Sequence, residues 1–205
     1  MTYEQAAASF EGAHYAYNFI NKINLEKGQH VIVNGSTGAI GSAAVQLLKY
    51  FEVNVTAVCA TKNIELVKSL GADRVIDYTK DDFTKDGKKY NYVFDAVGKS
   101  SFFKCRQLLK PGGIYISTDL GYMAQNIFLP FITPLIKSLM GNKKTVFPMP
   151  VDIKGSLALD KKLVEQGDFK AVIDREYPLE KSTEAYRYVE KGKKKGNMVL
   201  LYSKE

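Results

Sequence analysis

Three glycines spaced three residues apart form the part of this chain best suited to bind a ligand. Gly35, Gly38 and Gly41 follow the β-branched run Val31–Val33 and lead directly into a segment with helical spacing, Ser42–Lys49. Glycines let a backbone approach a phosphate closely, and a helix start presents unpaired N–H groups and a partial positive charge. This strand–turn–helix order predicts a site for a dinucleotide pyrophosphate, although the spacing differs from the G-x-G-x-x-G fingerprint.

The end of the second predicted strand, Val53–Val58, indicates which dinucleotide would bind. A site for NAD usually has an acidic residue there, which holds the ribose 2′-hydroxyl. This sequence instead continues with Thr61 and Lys62, and Glu52 lies at the opposite end of the strand. A hydroxyl beside a lysine suits a 2′-phosphate, so the sequence favours NADPH. The alternative is that Thr61 and Lys62 only begin the next helix.

Other reactive residue types lack the spacing that their chemistry would need. The cysteines and histidines are Cys59, Cys105, His14 and His30. They do not cluster as zinc ligands do, so we predict no metal site. Tyr177 and Lys181 match the Tyr-x-x-x-Lys pair of short-chain dehydrogenases, but Pro178 argues against a helix through Tyr177. Asp95 ends a predicted strand and is interpreted as structural, and no side chain is assigned a catalytic role.

Strands and helices alternate in the first part of the chain, which predicts an α/β fold with a doubly wound parallel sheet, a Rossmann fold. The predicted strands there are 31–33, 53–58, 74–78, 92–95 and 114–117, and the helices are 6–21, 42–50, 63–70 and 102–109. After Asp119 we predict an irregular crossover over 122–142, strands 145–147, 171–173 and 198–202, and helices 155–166 and 181–191. We expect the last two strands to pair with a part outside this sheet.

Composition and charge exclude several classes of protein. With 205 residues, 45% hydrophobic and 25% charged, the chain is typical of a globular protein. No apolar run reaches the ~18 residues that span a membrane, and the first residues lack signal-peptide features, so we predict a cytoplasmic protein with reduced cysteines. The net charge is +7, with lysines at 143, 144, 191 and 193–195. We interpret them as a solvated surface, because no aromatic residues are interleaved as in nucleic-acid-binding motifs.

Several segments, in their order along the chain, resemble the cofactor-binding half of the medium-chain dehydrogenases/reductases. The nearest branch is the zinc-independent, quinone oxidoreductase-like one. The matching segments are Gly35–Gly41 with Ala44–Leu47, Ser69–Asp73 with Val75–Tyr78, Phe94–Gly98, Leu109–Gly113, and Val172–Arg175 with Tyr177–Leu179. Because the series extends over nearly the whole chain, it is far more specific than any one motif.

The resemblance implies four groups of cofactor-binding residues. They would hold the pyrophosphate, hold the 2′-phosphate, flank the nicotinamide, and return to the cofactor from the C-terminal part. In that order they are Ser36, Thr37, Gly38, Ala39 and Ile40; Thr61, Lys62 and Tyr78; Val97, Gly98 and Ser117; and Asn197. At the lysine position, the resemblance leaves open whether Lys62 or Asn63 takes the role.

The resemblance also implies boundaries: an interdomain helix over 1–24, a Rossmann domain over 25–155, and over 156–205 the tail of a catalytic domain. In family members this catalytic domain is GroES-like, and it precedes the segment that begins here at Met1. We therefore expect most of the substrate pocket to be absent, and Met1 to be an internal residue or a truncated start. Strand 145–147 would pair with its twin in a homodimer.

The whole enzyme, as the resemblance implies, would transfer hydride from NADPH to a small quinone, enal or carbonyl substrate. One alternative is a non-catalytic nucleotide-binding module that senses NADPH or binds RNA through its lysines. Another is an S-adenosylmethionine site on a similar sheet, although such sites usually have an acidic residue after the second strand. Turnover would separate an enzyme from a binding module.

Overall fold

Six parallel strands form one sheet in a computed structural model of the chain, which describes residues 2–118, 141–147 and 151–202. They are β1 (His30–Asn34), β2 (Asn54–Cys59), β3 (Arg74–Asp77), β4 (Tyr90–Asp95), β5 (Leu109–Ser117) and β6 (Lys144–Val146). The order is β3-β2-β1-β4-β5-β6. Chain connections leave the central strands β1 and β4 in opposite directions, and ligands of doubly wound sheets bind at that switch point. The predicted fold class is confirmed.

Helices cover both faces of this sheet. They are α1 (Tyr3–Ile20), α2 (Ala39–Tyr50), α3 (Ile64–Ser69), α4 (Phe102–Cys105), α5 (Ile153–Gln166) and α6 (Ser182–Glu190). Successive residues of a strand point to opposite faces. Accordingly Val31 and Val33 belong to one hydrophobic cluster, with Phe19 and Leu47, while Ile32 belongs to the cluster on the other face. Strands buried on both faces explain why their sequences are continuous apolar runs.

A glycine allows α1 to pack tightly against the start of α2. A Cβ on Gly12 would lie 2.6 Å from the carbonyl oxygen of Ala39, the first residue of α2. That separation is closer than real Cβ contacts, so any larger residue would push the two helices apart. Helix α1 therefore supports the start of α2, which directly follows the glycine turn.

Polar side chains join α1 to α5. His14 Nδ1 lies 2.6 Å from the hydroxyl of Ser156, and the amide of Asn18 donates to the carbonyl oxygen of His14. Closer to the start of α1, the Ser9 hydroxyl donates to Asp160 Oδ2 at 3.1 Å. The C-terminal part of the chain is thus fixed to α1 by buried hydrogen bonds.

The last two strands pair with each other, outside the six-stranded sheet. β7 (Ile173–Pro178) and β8 (Asn197–Leu201) form a two-stranded parallel sheet. Helix α6 connects them, and such a crossover returns the chain in the parallel sense. The predicted strand 171–173 lies mostly before β7, because Lys170 pairs through its backbone with the side chain of Gln46 at 3.0 and 3.1 Å.

Other predicted elements differ at their ends. β5 begins at Leu109, five residues before the predicted start, because Leu109 pairs with Tyr90 ahead of an irregularity in the register. Most of the irregular crossover predicted over 122–142 lies outside the described residues. Among the described residues, no helix is both long and apolar enough to cross a membrane.

Candidate cofactor site

A cavity of about 1030 Å³ opens where the central strands end. Its lining includes Asn34 at the end of β1, Val58 near the end of β2, and Ala96 just after β4. The carboxyl ends of parallel strands meet at one edge of a sheet, which is the usual ligand site of this architecture. The volume is at the upper end of the range for small-molecule and cofactor pockets.

The glycine turn forms one wall of the cavity and needs its glycines. Gly35 has φ +78°, and a Cβ there would lie 2.8 Å from Val97 Cβ. A Cβ on Gly41 would lie 2.1 Å from the carbonyl oxygen of Gly35, so no other residue fits. Helix α2 begins directly after Gly38, which provides no side-chain cap. Its first N–H groups have no partner within the helix, so this cradle fits a pyrophosphate.

Two of the residues predicted to contact the pyrophosphate have different surroundings. Ser36 is fully buried, and its hydroxyl donates to the carbonyl oxygen of Val58 at 2.9 Å. Its side chain therefore supports the turn from beneath. Thr37 lines the cavity, and its carbonyl oxygen accepts a hydrogen bond from the N–H of Gly196 at 2.6 Å.

The C-terminal loop reaches the glycine turn, as predicted for the segment around Asn197. Gly196 pairs with Gly38 in an isolated parallel bridge. A Cβ on Gly196 would lie 2.1 Å from the carbonyl oxygen of Val172, so this approach also needs glycine. Asn197 lines the cavity and donates its backbone N–H to the same oxygen at 2.7 Å.

The region predicted for the 2′-phosphate lies at the ends of β2 and β3. Of the two lysine-position candidates, Lys62 is exposed and Asn63 is buried, so Lys62 alone offers its side chain to solvent. Tyr78 is 58% exposed and lines the cavity. Thr61 and Lys62 lie beside the cavity rather than in its lining.

An acidic residue that the sequence analysis did not assign lies in this region. Asp77 Oδ2 accepts the hydroxyl hydrogen of Thr61 at 2.5 Å, and Asp77 Oδ1 accepts the Thr79 N–H at 3.0 Å. The hydrogen bonds from Thr61 and then Thr79 lower the pKa of Asp77. Both oxygens thus have partners within the protein, so the carboxylate fixes Thr61. The sequence shows that Asp77 ends a predicted strand, which is a common position for a site residue. Its contact with Thr61, however, joins the ends of two different strands, and only the fold reveals it.

Asp95 organises the loop predicted to flank the nicotinamide. This fully buried carboxylate accepts the N–H groups of Val97 at 3.3 Å, Gly98 at 3.1 Å and Ser100 at 3.1 Å. The hydroxyl of Tyr115 also donates to it, at 2.9 Å. Burial, and then the charge of Asp95, raise the pKa of Tyr115, so this phenol remains a donor. The sequence analysis interpreted Asp95 as structural, and in the structure its carboxylate holds this loop through backbone N–H groups.

The predicted site residues divide into two sets. Those that line the cavity are Thr37, Gly38, Ala39, Ile40, Tyr78, Val97 and Asn197. Those outside the lining are Ser36, Thr61, Lys62, Gly98 and Ser117, the last of which is buried at the end of β5. Lining residues that the sequence analysis missed include Glu11, Lys80, Lys99 and Lys194. Their distances along the chain gave no signal, since only the fold brings them together.

Other reactive groups of the described residues take no part in this site. Cys59 and Cys105 are buried and free, and burial raises the pKa of each thiol to about 11, so both stay protonated at neutral pH. Tyr177 lies in β7 and Lys181 in a 3-10 turn, so they do not share a helix. Within the described residues, no three His, Cys, Asp or Glu side chains could together hold a metal ion.

Comparison with known proteins identifies the family. The sequence profile of the zinc-binding dehydrogenases matches residues 70–200, well over half of the chain. The chain therefore belongs to this family of oxidoreductases, and the resemblance to its quinone oxidoreductase-like members is confirmed.

Individual relatives cover nearly all of this chain. It is 32% identical over 196 residues to the chloroplastic quinone-oxidoreductase QR1 of Triphysaria versicolor, covering 92% of this chain and 58% of that protein. It is 30% identical over 221 residues to the mitochondrial NAD(P)H oxidoreductase RTN4IP1 of Homo sapiens, covering 98% of this chain and 56% of that protein. The solved quinone oxidoreductase of Coxiella burnetii shares the fold, with a TM-score of 0.84 at 22% identity. The match covers 98% of this chain and 61% of that chain. The chain thus spans less than two thirds of each of these proteins.

Proposed function

We propose that this chain is the nicotinamide-dinucleotide-binding part of an oxidoreductase and that it prefers NADPH to NADH. The observation that carries this proposal is the open cavity at the switch point of the sheet, with the uncapped start of α2 on one wall. The glycines of this wall have no side chains, so their backbone is open to a pyrophosphate. The family, and the human relative, an NAD(P)H oxidoreductase, agree with a nicotinamide cofactor.

The preference for NADPH is supported by the charges around the end of β2. Lys62 is exposed next to this end, whereas no acidic residue follows β2 directly. Asp77 is the nearest carboxylate to Thr61, and it is only 8% exposed and already accepts hydrogen bonds from Thr61 and Thr79. A ribose 2′-hydroxyl would have to compete with those donors for it, whereas a 2′-phosphate gains a nearby cation.

When bound, the cofactor would supply hydride to a small quinone, enal or carbonyl substrate of the whole protein. The chain's own contribution is to hold the dinucleotide and to position the loop after β4. Asp95 fixes that loop through the N–H groups of Val97 and Gly98. We assign no described side chain of the cavity a catalytic role, and the substrate-binding contribution would come from elsewhere in the whole protein.

The cofactor preference is tested by titrating the purified chain with NADPH and NADH while following nicotinamide fluorescence. We expect tighter binding of NADPH. Lys62→Ala should weaken NADPH binding about tenfold and leave NADH binding unchanged, because only NADPH carries the 2′-phosphate. Lys68→Ala is the matched control, since Lys68 is also exposed, lies on the adjoining helix α3 and pairs with Glu65.

The outcomes of this titration are distinct. Equal affinity for the two cofactors in the wild type would contradict the preference but leave the dinucleotide site intact. Binding of neither cofactor would contradict the dinucleotide site itself. Equal weakening by Lys62→Ala and Lys68→Ala would indicate a general effect of positive charge rather than a 2′-phosphate site.

We also propose a reducing compartment such as the cytoplasm. Both cysteines are buried, free thiols, Cys59 at the end of β2 and Cys105 at the end of α4. Such thiols are compatible with a compartment that keeps cysteines reduced. Imaging of the full-length protein with a C-terminal fluorescent fusion tests this, and a signal confined to an organelle would contradict the cytoplasm.

A further inference from the structure

One lysine of the C-terminal cluster differs from its neighbours. Lys194 is partly buried and lines the cavity, whereas Lys191 and Lys193 are exposed and do not. The backbone N–H of Lys195 is directed to Asp174, with a distance of 3.0 Å. The four lysines are therefore not one solvated surface, since one of them belongs to the cavity wall.

The contacts of Lys194 place its charge next to the glycine turn. Its ammonium donates to the carbonyl oxygen of Gly196 at 2.8 Å. Gly196 in turn donates its N–H to the carbonyl oxygen of Thr37 and forms the bridge with Gly38. The Lys194 ammonium is thus connected to the glycine turn through one residue, Gly196.

Other lysines of the cavity lining are placed differently. Lys80 lies 3.9 Å from Asp77, at the end of the cavity predicted for the 2′-phosphate. Lys99 lies within the loop held by Asp95, on the side predicted for the nicotinamide. Of the lining lysines in the described part of the chain, Lys194 is the one that hydrogen-bonds to the loop touching the glycine turn.

The surroundings of Lys194 make its charge responsive to an anion. Burial lowers the pKa of Lys194, while Glu11 and Asp174 oppose that effect. A cation that has lost part of its hydration gains more from a new charged partner than an exposed lysine does. Asn197, the next polar residue of this loop in the cavity lining, has no charge, and its amide donates to the carbonyl oxygen of Val172 at 3.2 Å.

We propose that Lys194 is the cation that pairs with the diphosphate of the bound dinucleotide. The proposal rests on the proposed function, since it assigns one more residue to the same site. It adds a side-chain charge to a cradle otherwise made of backbone N–H groups. It also separates two roles for lysine: Lys62 recognises the 2′-phosphate, which only NADPH has, and Lys194 recognises the diphosphate, which every dinucleotide has.

The test compares Lys194→Gln with Lys193→Gln. Both variants lose one positive charge from adjacent positions, so their long-range electrostatic effects match. We expect Lys194→Gln to weaken NADPH, NADH and ADP-ribose by a similar factor, about tenfold, and Lys193→Gln to change each less than twofold. Inorganic pyrophosphate should compete with ADP-ribose less well in Lys194→Gln than in the wild type.

Two readouts distinguish pairing from a purely structural anchor. Lys194→Arg keeps the charge and should retain most of the affinity, and Lys194→Gln should show a shallower dependence of NADPH affinity on salt. An unchanged salt dependence, or equal effects of the two glutamine variants, would overturn the assignment of Lys194. If the wild type binds none of the three ligands, the dinucleotide site itself fails and this assignment fails with it.

Discussion

At the scale of single residues, the buried carboxyl of Asp160 is a group whose charged form costs free energy of folding. It is only 8% exposed, the Ser9 hydroxyl donates to its Oδ2, and its Oδ1 has no hydrogen-bond partner among the described residues. Burial raises the pKa of Asp160 above its ordinary value of 3.8, and the hydrogen bond from Ser9 only partly offsets this. The ionised form is therefore destabilising in the folded protein.

Replacing Asp160 with Asn should stabilise the protein at neutral pH. The folded state binds the carboxyl proton more tightly than the unfolded state, so stability is lost as the pH rises from 3.8 through the raised pKa. Asp160→Asn removes this loss and should increase the free energy of unfolding by about 1 kcal/mol at pH 7. Urea denaturation from pH 3 to 7 measures it, and the gain should disappear at pH 3.

The exposed Asp168 supplies the control for this experiment. Asp168→Asn makes the same change of charge near the end of α5, without relieving a buried carboxylate. Removing a carboxylate from a protein of net charge +7 should by itself add repulsion, so Asp168→Asn should bring no gain. A similar gain in both variants would contradict the argument from burial.

Residue types alone predicted the positions of some candidate site residues and not of others. The glycine turn was predictable because its spacing between a strand and a helix has a local cause. The burial of Ser36 was not, because it depends on the β2 carbonyl above which the turn lies. Nor could the sequence separate Lys194 from Lys193, since adjacent residues differ here only through a contact with Gly196.

At the scale of elements, the packing of α1 on α2 links the first helix to the cofactor cradle. The contact depends on Gly12, whose missing side chain leaves space for the carbonyl oxygen of Ala39. Because Ala39 lies in the cavity lining, a shift of α1 would move one wall of the site. A glycine in the middle of a helix is otherwise unfavourable, which supports a packing role.

Gly12→Ala should reduce both stability and cofactor affinity. The new Cβ would lie 2.6 Å from the Ala39 oxygen, and the strain should exceed the ~1 kcal/mol that alanine gains as a helix former. We expect a net loss of about 2 kcal/mol in the free energy of unfolding, with weaker NADPH binding. Thermal unfolding and fluorescence titration measure these. Gly87→Ala is the control, because nothing lies within 4 Å of a Cβ there.

The alternation of elements was predictable because apolar runs such as Val31–Val33 in β1 and Tyr92–Phe94 in β4 alternate along the chain with segments of helical spacing. The start of β7 was not, because the charged residues Asp174, Arg175 and Glu176 hide any apolar pattern. Its pairing with β8 depends on a crossover through α6, and no local pattern indicates which strands will meet.

At the scale of the whole molecule, the six-stranded sheet ends in a strand paired on one side. In the order of the described strands, β6 comes last and pairs with β5. A strand at the edge of a sheet can pair with a strand of another chain, and twofold symmetry is the commonest arrangement of two copies. This is the geometry that the sequence analysis proposed for residues 145–147.

We expect the chain to form a homodimer through β6. Sedimentation velocity should show a concentration-dependent approach to twice the monomer mass. Val146→Lys should shift the population to monomer, because it places two like charges across the twofold axis. Circular dichroism would verify that the variant is folded. A wild-type chain that stays monomeric at all concentrations would contradict the dimer.

The bridge between Gly38 and Gly196 has a consequence for how the protein is made. The two halves of the cofactor wall are separated by most of the chain, and the second half lies in β8 and the loop before it. During synthesis the sheet can assemble from the first strands onward, but the wall stays open until the loop around Gly196 and β8 have been made. A nascent chain therefore gains the full stabilisation of its ligand only once these residues have left the ribosome.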